Sequence, residues 1–236
     1  MAKKLDICLS PAQLSLFDLK GKVVVIIDVL RATSTINAAL ANSVKEVIPV
    51  STIEEGLEYK TKGYIVGAER GGKKYEGFSY GNSPYEYMTE EVKGKSVVLT
   101  TSNGTRALKM SQAADEIITA SFLNVNAVIK YLKNQAKDII LFCSGWKDRF
   151  SLEDTMCAGS IAQGLADSTT TNADSTFAAI HLYTSHADNL FEALQKSAHF
   201  HRLSHNGMLK DIEYCVQENT YDSIPVWNGK ALTLMP

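Results

Sequence analysis

A layered α/β/α fold, with a largely parallel or mixed sheet, is expected from three observations. Strand-like and helix-like segments alternate along the chain, the pattern of sheets flanked by helices. The strand runs Val23–Ile27 and Asp138–Cys143 are nearly continuous in apolar residues, which fits strands covered on both faces. Polar loops carrying hydroxyls, glycine and cations follow these strands and open the next helix. In open α/β sheets ligands bind at that end of the strands, so the strand–loop–helix units are expected to carry the site. The 236 residues form either one α/β domain, 1–236, or two closely packed lobes.

The elements follow in order. Val23–Ile27 predicts a buried strand, and the small apolar run after Ser34 predicts a helix over Ser34–Asn42. Glu46–Val50 predicts a short strand. Ser51-Thr52-Ile53-Glu54 has the spacing of a capping box and predicts a helix to about Lys62. Tyr64–Gly67 is strand-like, and Glu69 to Tyr87 is a long connection rich in Gly, Tyr and Lys; connections of that length are usually functional or mobile. Within it, Ser83-Pro84-Tyr85-Glu86 combines a capping box with proline at the first helical position. Ser96–Thr100 and Glu116–Thr119 predict strands, with helices at Gly104–Met110 and Asn126–Asn134. Ser151-Leu152-Glu153-Asp154 opens a helix to about Ala166, Ser168–Ser175 reads as a surface turn, and helices are expected at Asn189–Ser197 and Met208–Cys215.

Composition narrows the function classes. Hydrophobic residues make up 45% of the chain and charged residues 21%, ordinary for a globular protein. A formal net charge of −2 provides no global field for nucleic acid, so any anion site is built locally. Met1 to Asp6 lacks an apolar signal core, and no run of about 18 apolar residues suggests a membrane span. The four cysteines, Cys8, Cys143, Cys157 and Cys215, are far apart and fit neither a CxxC metal motif nor a disulfide framework. A reducing cytoplasm is the expected location.

Three strand ends carry chemistry. The first places Asp28, Arg31, Thr33, Ser34 and Thr35 directly after Val23–Ile27. A carboxylate for a metal, an arginine for an anion and a hydroxyl-rich helix start suit a phosphorylated substrate; the plain alternative is helix capping by Asp28 and Thr33. The second is Thr101-Ser102-Asn103-Gly104-Thr105-Arg106. Its backbone N–H groups could form an anion nest, or it could be an ordinary cap followed by a solvated arginine. It lacks the lysine of a phosphate-binding P-loop. The third runs from Cys143 through Lys147 and Arg149 to Glu153 and Asp154, acidic residues that the helix dipole alone would also favour. Cys143 and Arg149 have the Cys-x5-Arg spacing of cysteine-dependent phosphatases, although a buried structural cysteine explains Cys143 as well. Asp28 has Leu30 where haloacid-dehalogenase phosphatases carry a second aspartate, which removes that family. In the long connection Glu69 is a further metal candidate and Arg70 an anion candidate. His199, His201 and His205 fit no zinc pattern and read as surface or substrate-contact residues.

Taken together, several stretches resemble the 2-phosphosulfolactate phosphatases, the ComB-like family. They are Ile27 to Thr35, Gly67 to Gly71, Gly81-Asn82-Ser83-Pro84, Thr101 to Thr105, Cys143-Ser144-Gly145, Arg149 to Asp154, Cys157-Ala158-Gly159, and Gly207 through Asp211 to Cys215. The resemblance covers most of the chain. It implies a magnesium-dependent phosphatase converting 2-phospho-3-sulfolactate to 3-sulfolactate and phosphate, a step of coenzyme M biosynthesis in methanogens. It also leaves room for other phosphate esters of 2-hydroxy acids.

On this reading Asp28, Arg31 and Asp154 are the candidate catalytic residues. Asp28, Glu69, Glu153 and Asp154 are the candidate magnesium ligands, because magnesium takes hard oxygens. Thr33, Ser34 and Arg70 from the first and long loops are candidate substrate contacts. Thr101, Ser102, Asn103, Gly104, Thr105 and Arg106 join them from the second loop, and Arg149 from the third. The expected partner is a small anionic phosphate ester, with no nucleic acid and no membrane, and a homodimer is the prior for a small α/β enzyme. Two alternatives stand beside the metal route: a cysteine phosphatase using Cys143 and Arg149, and a non-catalytic binder of organic phosphates or sulfonates.

Overall fold

The structure is a computed structural model describing residues 2–71, 73–101 and 103–235. Its first half runs β1 (Lys3–Cys8), β2 (Val23–Ile27), α1 (Ala32–Ala41), β3 (Glu46–Val50), α2 (Ile53–Thr61), β4 (Ile65–Arg70), β5 (Lys73–Lys74), β6 (Ser96–Thr100), α3 (Gly104–Met110) and β7 (Glu116–Ala120). Then come α4 (Val125–Lys133), β8 (Ile139–Cys143), α5 (Leu152–Gly164), β9 (Thr169–Thr170), α6 (Asp174–Thr184), α7 (Leu190–Leu194), α8 (Ala198–His205), α9 (Leu209–Cys215), β10 (Pro225–Trp227) and β11 (Leu232–Leu234).

The strands form one mixed sheet in the order β5-β4-β6-β3-β11-β10-β7-β2-β8-β1-β9. It contains two parallel blocks, β4-β6-β3 and β7-β2-β8-β1-β9, with the short β5 antiparallel to β4 at one edge. The β10–β11 hairpin lies between them, antiparallel to both neighbours, with Val226 opposite Ile118 and Leu232 opposite Val47. The layered fold is therefore as expected, and the C-terminal hairpin is the piece that joins its halves.

Helices cover both faces, which is why the central strands are apolar throughout. Val23, Val25 and Ile27 pack with Ile139 and Leu141 against Met156, Ile161 and Leu132 of α5 and α4. The alternate residues Val24, Ile26, Ile140 and Phe142 pack the opposite way, against Ala107 and Leu108 of α3. In the other block Val47, Val97 and Leu99 meet Ile36, Ala39 and Leu40 of α1, while Ile48, Val66 and Val98 face the side of α2.

Several boundaries move, each for a local reason. Helix α1 starts at Ala32 rather than Ser34, because Asp28 accepts from Thr33 N (2.9 Å) through its carbonyl and from Ala32 N (3.3 Å) through its side chain. The cap of α2 is Thr52 with Glu55, one residue later than the Ser51–Glu54 spacing suggests; the Glu55 carboxylate also takes Ser51 N. Helix α5 ends at Gly164 and the helix expected over Asn189–Ser197 spans only Leu190–Leu194. Strand β4 continues to Arg70, so Glu69 and Arg70 are strand residues paired with β5, not loop residues. The stretch 168–175 is not merely a turn: it holds β9 and the start of α6. The sequence reading does not anticipate β1, α6, α8 or the hairpin.

Candidate active site

Residues that follow β2 and β8 in one block and lie on β4 or after β6 in the other come together in one small pocket. Its lining includes Asp28, Arg31, Glu69, Asn82, Thr101, Asn103, Trp146, His199, Arg202 and Leu203. The pocket therefore sits at the carboxyl ends of the parallel strands, above the junction of the two blocks, where open α/β sheets take ligands.

Asp28 forms its base. Its backbone N–H donates to Thr33 Oγ1 (3.0 Å), and Ser34 Oγ donates to Val29 O (2.8 Å). The hydroxyls of α1 thus shape the turn that presents Asp28, and neither lines the pocket. Burial, with Glu69 and Glu153 adding negative charge nearby, pushes the Asp28 pKa up to about 6, while His199 and the Ala32 amide pull against that shift. Such a carboxylate binds a cation readily, because the cation removes the cost of burying its charge. Gly104 makes room on the far side: a Cβ there would stand 2.8 Å from Ala32 Cβ and 3.5 Å from Asp28 Oδ2.

Asp154 is buried behind this turn. Its Oδ1 accepts from Val29 N (2.9 Å) and its Oδ2 from Gly145 N (3.0 Å), so it ties the β2 loop to the β8 loop. Burial and the charges of Glu153 and Asp28 raise its pKa well above the usual range, with the two amides acting the other way. It does not line the pocket, and both oxygens are already engaged by backbone, so its observed part is to position the turn. Glu153 is also behind the lining. Its Oε1 lies 2.5 Å from His199 Nδ1, and although burial opposes ionisation, the His199 ring holds the Glu153 pKa below its ordinary value.

Four of the candidate arginines separate into different roles. Arg31 lines the pocket and pairs with buried Asp211, whose other oxygen accepts from Ser83 Oγ (2.9 Å). Arg70 is directed to the backbone and to Thr100 Oγ1 (3.2 Å). Arg106 pairs with Asp148 at the surface (2.7 Å), and Arg149 is exposed. None of these last three lines the pocket, so their assignment as substrate contacts has no geometric support here. Of the second loop, Thr101 and Asn103 line the pocket, Thr105 N donates to Thr101 Oγ1 (3.3 Å), and Ser102 lies outside the described residues.

The structure also brings in residues that sequence reasoning missed as site residues. Asn82 comes from the long connection, fixed by Thr35 Oγ1 donating to its carbonyl (2.9 Å). Trp146 comes from a tight turn and Arg202 from α8, which also carries His199, read from the sequence as a surface or substrate-contact histidine. The matching of Asp211 to Arg31 spans 180 residues of sequence, a distance that no local pattern reveals. The Gly81-Asn82-Ser83-Pro84 and Gly207 to Asp211 stretches that carried the family resemblance were the available signal.

A divalent cation suits the donor set. Asp28 and Glu69 line the pocket together with Asn82, whose buried Oδ1 has no hydrogen-bond partner among the described residues. Among the described residues no three His, Cys, Asp or Glu side chains converge on one metal position. Magnesium does not need them, since it commonly uses one or two carboxylates plus waters and substrate phosphate. The thiol route fits poorly. Cys143 is fully buried, does not line the pocket, and burial pushes its pKa well up, followed by the nearby Asp154 charge; an attacking thiol needs exposure and a lowered pKa.

Comparison with known proteins follows the same line. A family model described as 2-phosphosulpholactate phosphatase matches residues 8–230. Similar proteins include one from Thermotoga maritima, 45% identical over 204 residues, covering 86% of this chain and 88% of the relative. One from Caldanaerobacter subterraneus subsp. tengcongensis is 41% identical over 213 residues, 88% of each chain. One from Clostridium acetobutylicum is 37% identical over 236 residues, covering 97% of this chain and 100% of the relative. Each is named a probable 2-phosphosulfolactate phosphatase.

Proposed function

The chain belongs to the 2-phosphosulpholactate phosphatase family, and from that premise we propose that it hydrolyses 2-phospho-3-sulfolactate to 3-sulfolactate and phosphate with magnesium. The observation that carries the reading is the meeting of Asp28 and Glu69 with Arg31, Thr101 and Asn103 in one pocket. Carboxylates alone repel an anionic ester; carboxylates beside arginine and amide donors suit an ester that arrives with a cation.

In the reaction the bond between phosphorus and the C2 oxygen breaks, water provides the new oxygen on phosphorus, and the C2 oxygen leaves as a hydroxyl. Asp28 and Glu69, with the Asn82 side-chain Oδ1, would hold the magnesium. Such an ion would supply neutralisation of the charge on the phosphoryl oxygens. Arg31, kept in place by Asp211 and Ser83, and the Thr101 and Asn103 side chains bind those oxygens in a partly desolvated setting, where fixed donors act strongly. His199, oriented by Glu153, is the pocket residue able to exchange a proton with the ester oxygen. Other phosphate esters of 2-hydroxy acids fit the same chemistry, and a place in coenzyme M biosynthesis in the cytoplasm goes with this reading.

Phosphate release from 2-phospho-3-sulfolactate, with magnesium and then with excess EDTA, tests it. Release that disappears on chelation is expected. Release indifferent to EDTA contradicts the metal route, and binding without release in either condition makes the protein a binder of organic anions.

A further inference from the structure

Beyond the phosphate-binding residues, the pocket holds one cation with an unusual setting. Arg202 lines it, yet forms no ion pair or hydrogen bond with the described residues. Its guanidinium lies 4.1 Å from the centre of the Trp146 ring, and the Lys147 ammonium lies 4.4 Å from the same centre. Stacking on an aromatic face holds a guanidinium without using its N–H donors, so the fork remains available to an acceptor that enters the pocket.

The Trp146 platform is itself built with care. Trp146 N donates to Arg149 O (3.2 Å) and Arg149 N to Trp146 O (3.1 Å), closing a two-residue turn. Lys147 and Asp148 take positive φ values of 51° and 62° there, the conformation of a tight hairpin turn. Gly145 precedes the turn at φ 57°, and a Cβ on it would meet the Arg149 carbonyl oxygen at 2.2 Å. From the other side, α8 is fixed over the pocket by the His199–Glu153 contact, and Asn206 just beyond its end reaches Gly71 O (3.4 Å) next to β4.

Resting on the phosphatase reading above, we propose that Arg202, seated on Trp146, receives the sulfonate of the substrate and so selects 2-phospho-3-sulfolactate over the same phosphate ester without a sulfonate. Arg31, held by Asp211, is taken up by the phosphoryl oxygens, and Asp28 and Glu69 are placed for the cation. Arg202 is the pocket cation whose donors are left for a further anionic group. An arginine fork matches two oxygens of a sulfonate at once, and such charge-assisted pairs are stronger and more directional than neutral ones.

The test compares kcat/KM for 2-phospho-3-sulfolactate and for 2-phospholactate in the wild type, Arg202→Gln, Arg202→Lys and Trp146→Leu, each checked for folding by its thermal transition. Arg202→Gln should lower the ratio of sulfonated to unsulfonated kcat/KM by about 30- to 100-fold, the scale of a charged hydrogen-bonded contact. Arg202→Lys should restore part of the ratio, since it keeps the charge but loses the fork. Trp146→Leu should lower the ratio less than Arg202→Gln, and it provides the answer should Arg202→Gln not fold. Inhibition by the product 3-sulfolactate, relative to lactate, should weaken in parallel. An unchanged ratio, with both substrates losing activity equally or not at all, overturns the assignment of Arg202 while leaving the phosphatase reading intact. A wild type that releases phosphate from neither ester overturns the phosphatase reading and this inference with it.

Discussion

Asp28 is a carboxylate at the end of five apolar strand residues, and its properties follow from that position. Desolvation there favours the neutral acid, so its pKa rises to about 6. A folded-state pKa above the unfolded value means that the native protein holds a proton the unfolded chain has lost between about pH 4 and 6. The Asp28 contribution to stability therefore declines as pH rises through that window. Magnesium binding needs the ionised form, so the magnesium concentration giving half-maximal phosphate release should climb steeply below pH 6, by up to about tenfold per pH unit. A half-saturating concentration that stays flat from pH 7.5 to 5 would sink this account of Asp28. The cysteines give a second prediction. Cys8, Cys143, Cys157 and Cys215 are all free and buried, and burial raises each thiol, Cys8 and Cys215 to about 12. At pH 8 the native protein should titrate close to zero thiols with a disulfide reagent, and four after denaturation; phosphatase activity should survive the reagent. Because these folded-state values lie above the unfolded one, stability should fall as pH climbs from about 9.

At the scale of elements, what was legible depended on whether a signal was local. The strand at β2, the hydroxyl-rich start of α1 and the loop after β6 are each written in consecutive residues, and Asp28, Arg31, Thr101 and Asn103 from these segments line the pocket. Arg70, Arg106 and Arg149 carry the same charge in similar loops, yet their side chains find partners or solvent elsewhere; residue type does not say where a side chain points. Helix α8 was illegible because only Phe200 and Leu203 bury along it, too few apolar positions to show a 3.6-residue period. The acidic start of α5 was visible as a capping pattern, but the pattern hid its purpose. Ser151 Oγ does cap Asp154 N (3.3 Å), whereas the Asp154 carboxylate reaches across to Val29 and Gly145. Asp154→Asn turns one of its two acceptors into a donor facing an N–H. It should cost about 1–3 kcal/mol, read as a lowered thermal transition, and should reduce kcat through displacement of the Asp28 turn.

Across the whole molecule, alternating segments and doubly buried strands were enough to read the layered α/β fold. The joining of its two parallel blocks was not readable. Strands β10 and β11 are three residues each, too short for a period-two pattern, and their partners Ile118 and Val47 are far away in sequence. Their placement explains a stability effect that sequence position would not suggest. Removing residues 222–236 should expose the edges of β3 and β7, which act as templates for pairing with other chains. The truncated protein is expected to aggregate or lose its cooperative transition. Leu232→Ala, which empties a nearly fully buried position, should cost about 2–5 kcal/mol without altering the ratio of activities toward sulfonated and unsulfonated esters. The pocket draws its lining from both blocks that the hairpin joins.

The most direct test of the central claim, that a cation held at Asp28 is what makes this pocket hydrolyse the ester, is phosphate release from 2-phospho-3-sulfolactate by Asp28→Asn at saturating magnesium. Asp28→Asn should lower kcat by at least about 1,000-fold, on the scale of losing a principal electrostatic group, with the native thermal transition retained. Activity within a few fold of the wild type would contradict it and move the chemistry away from Asp28.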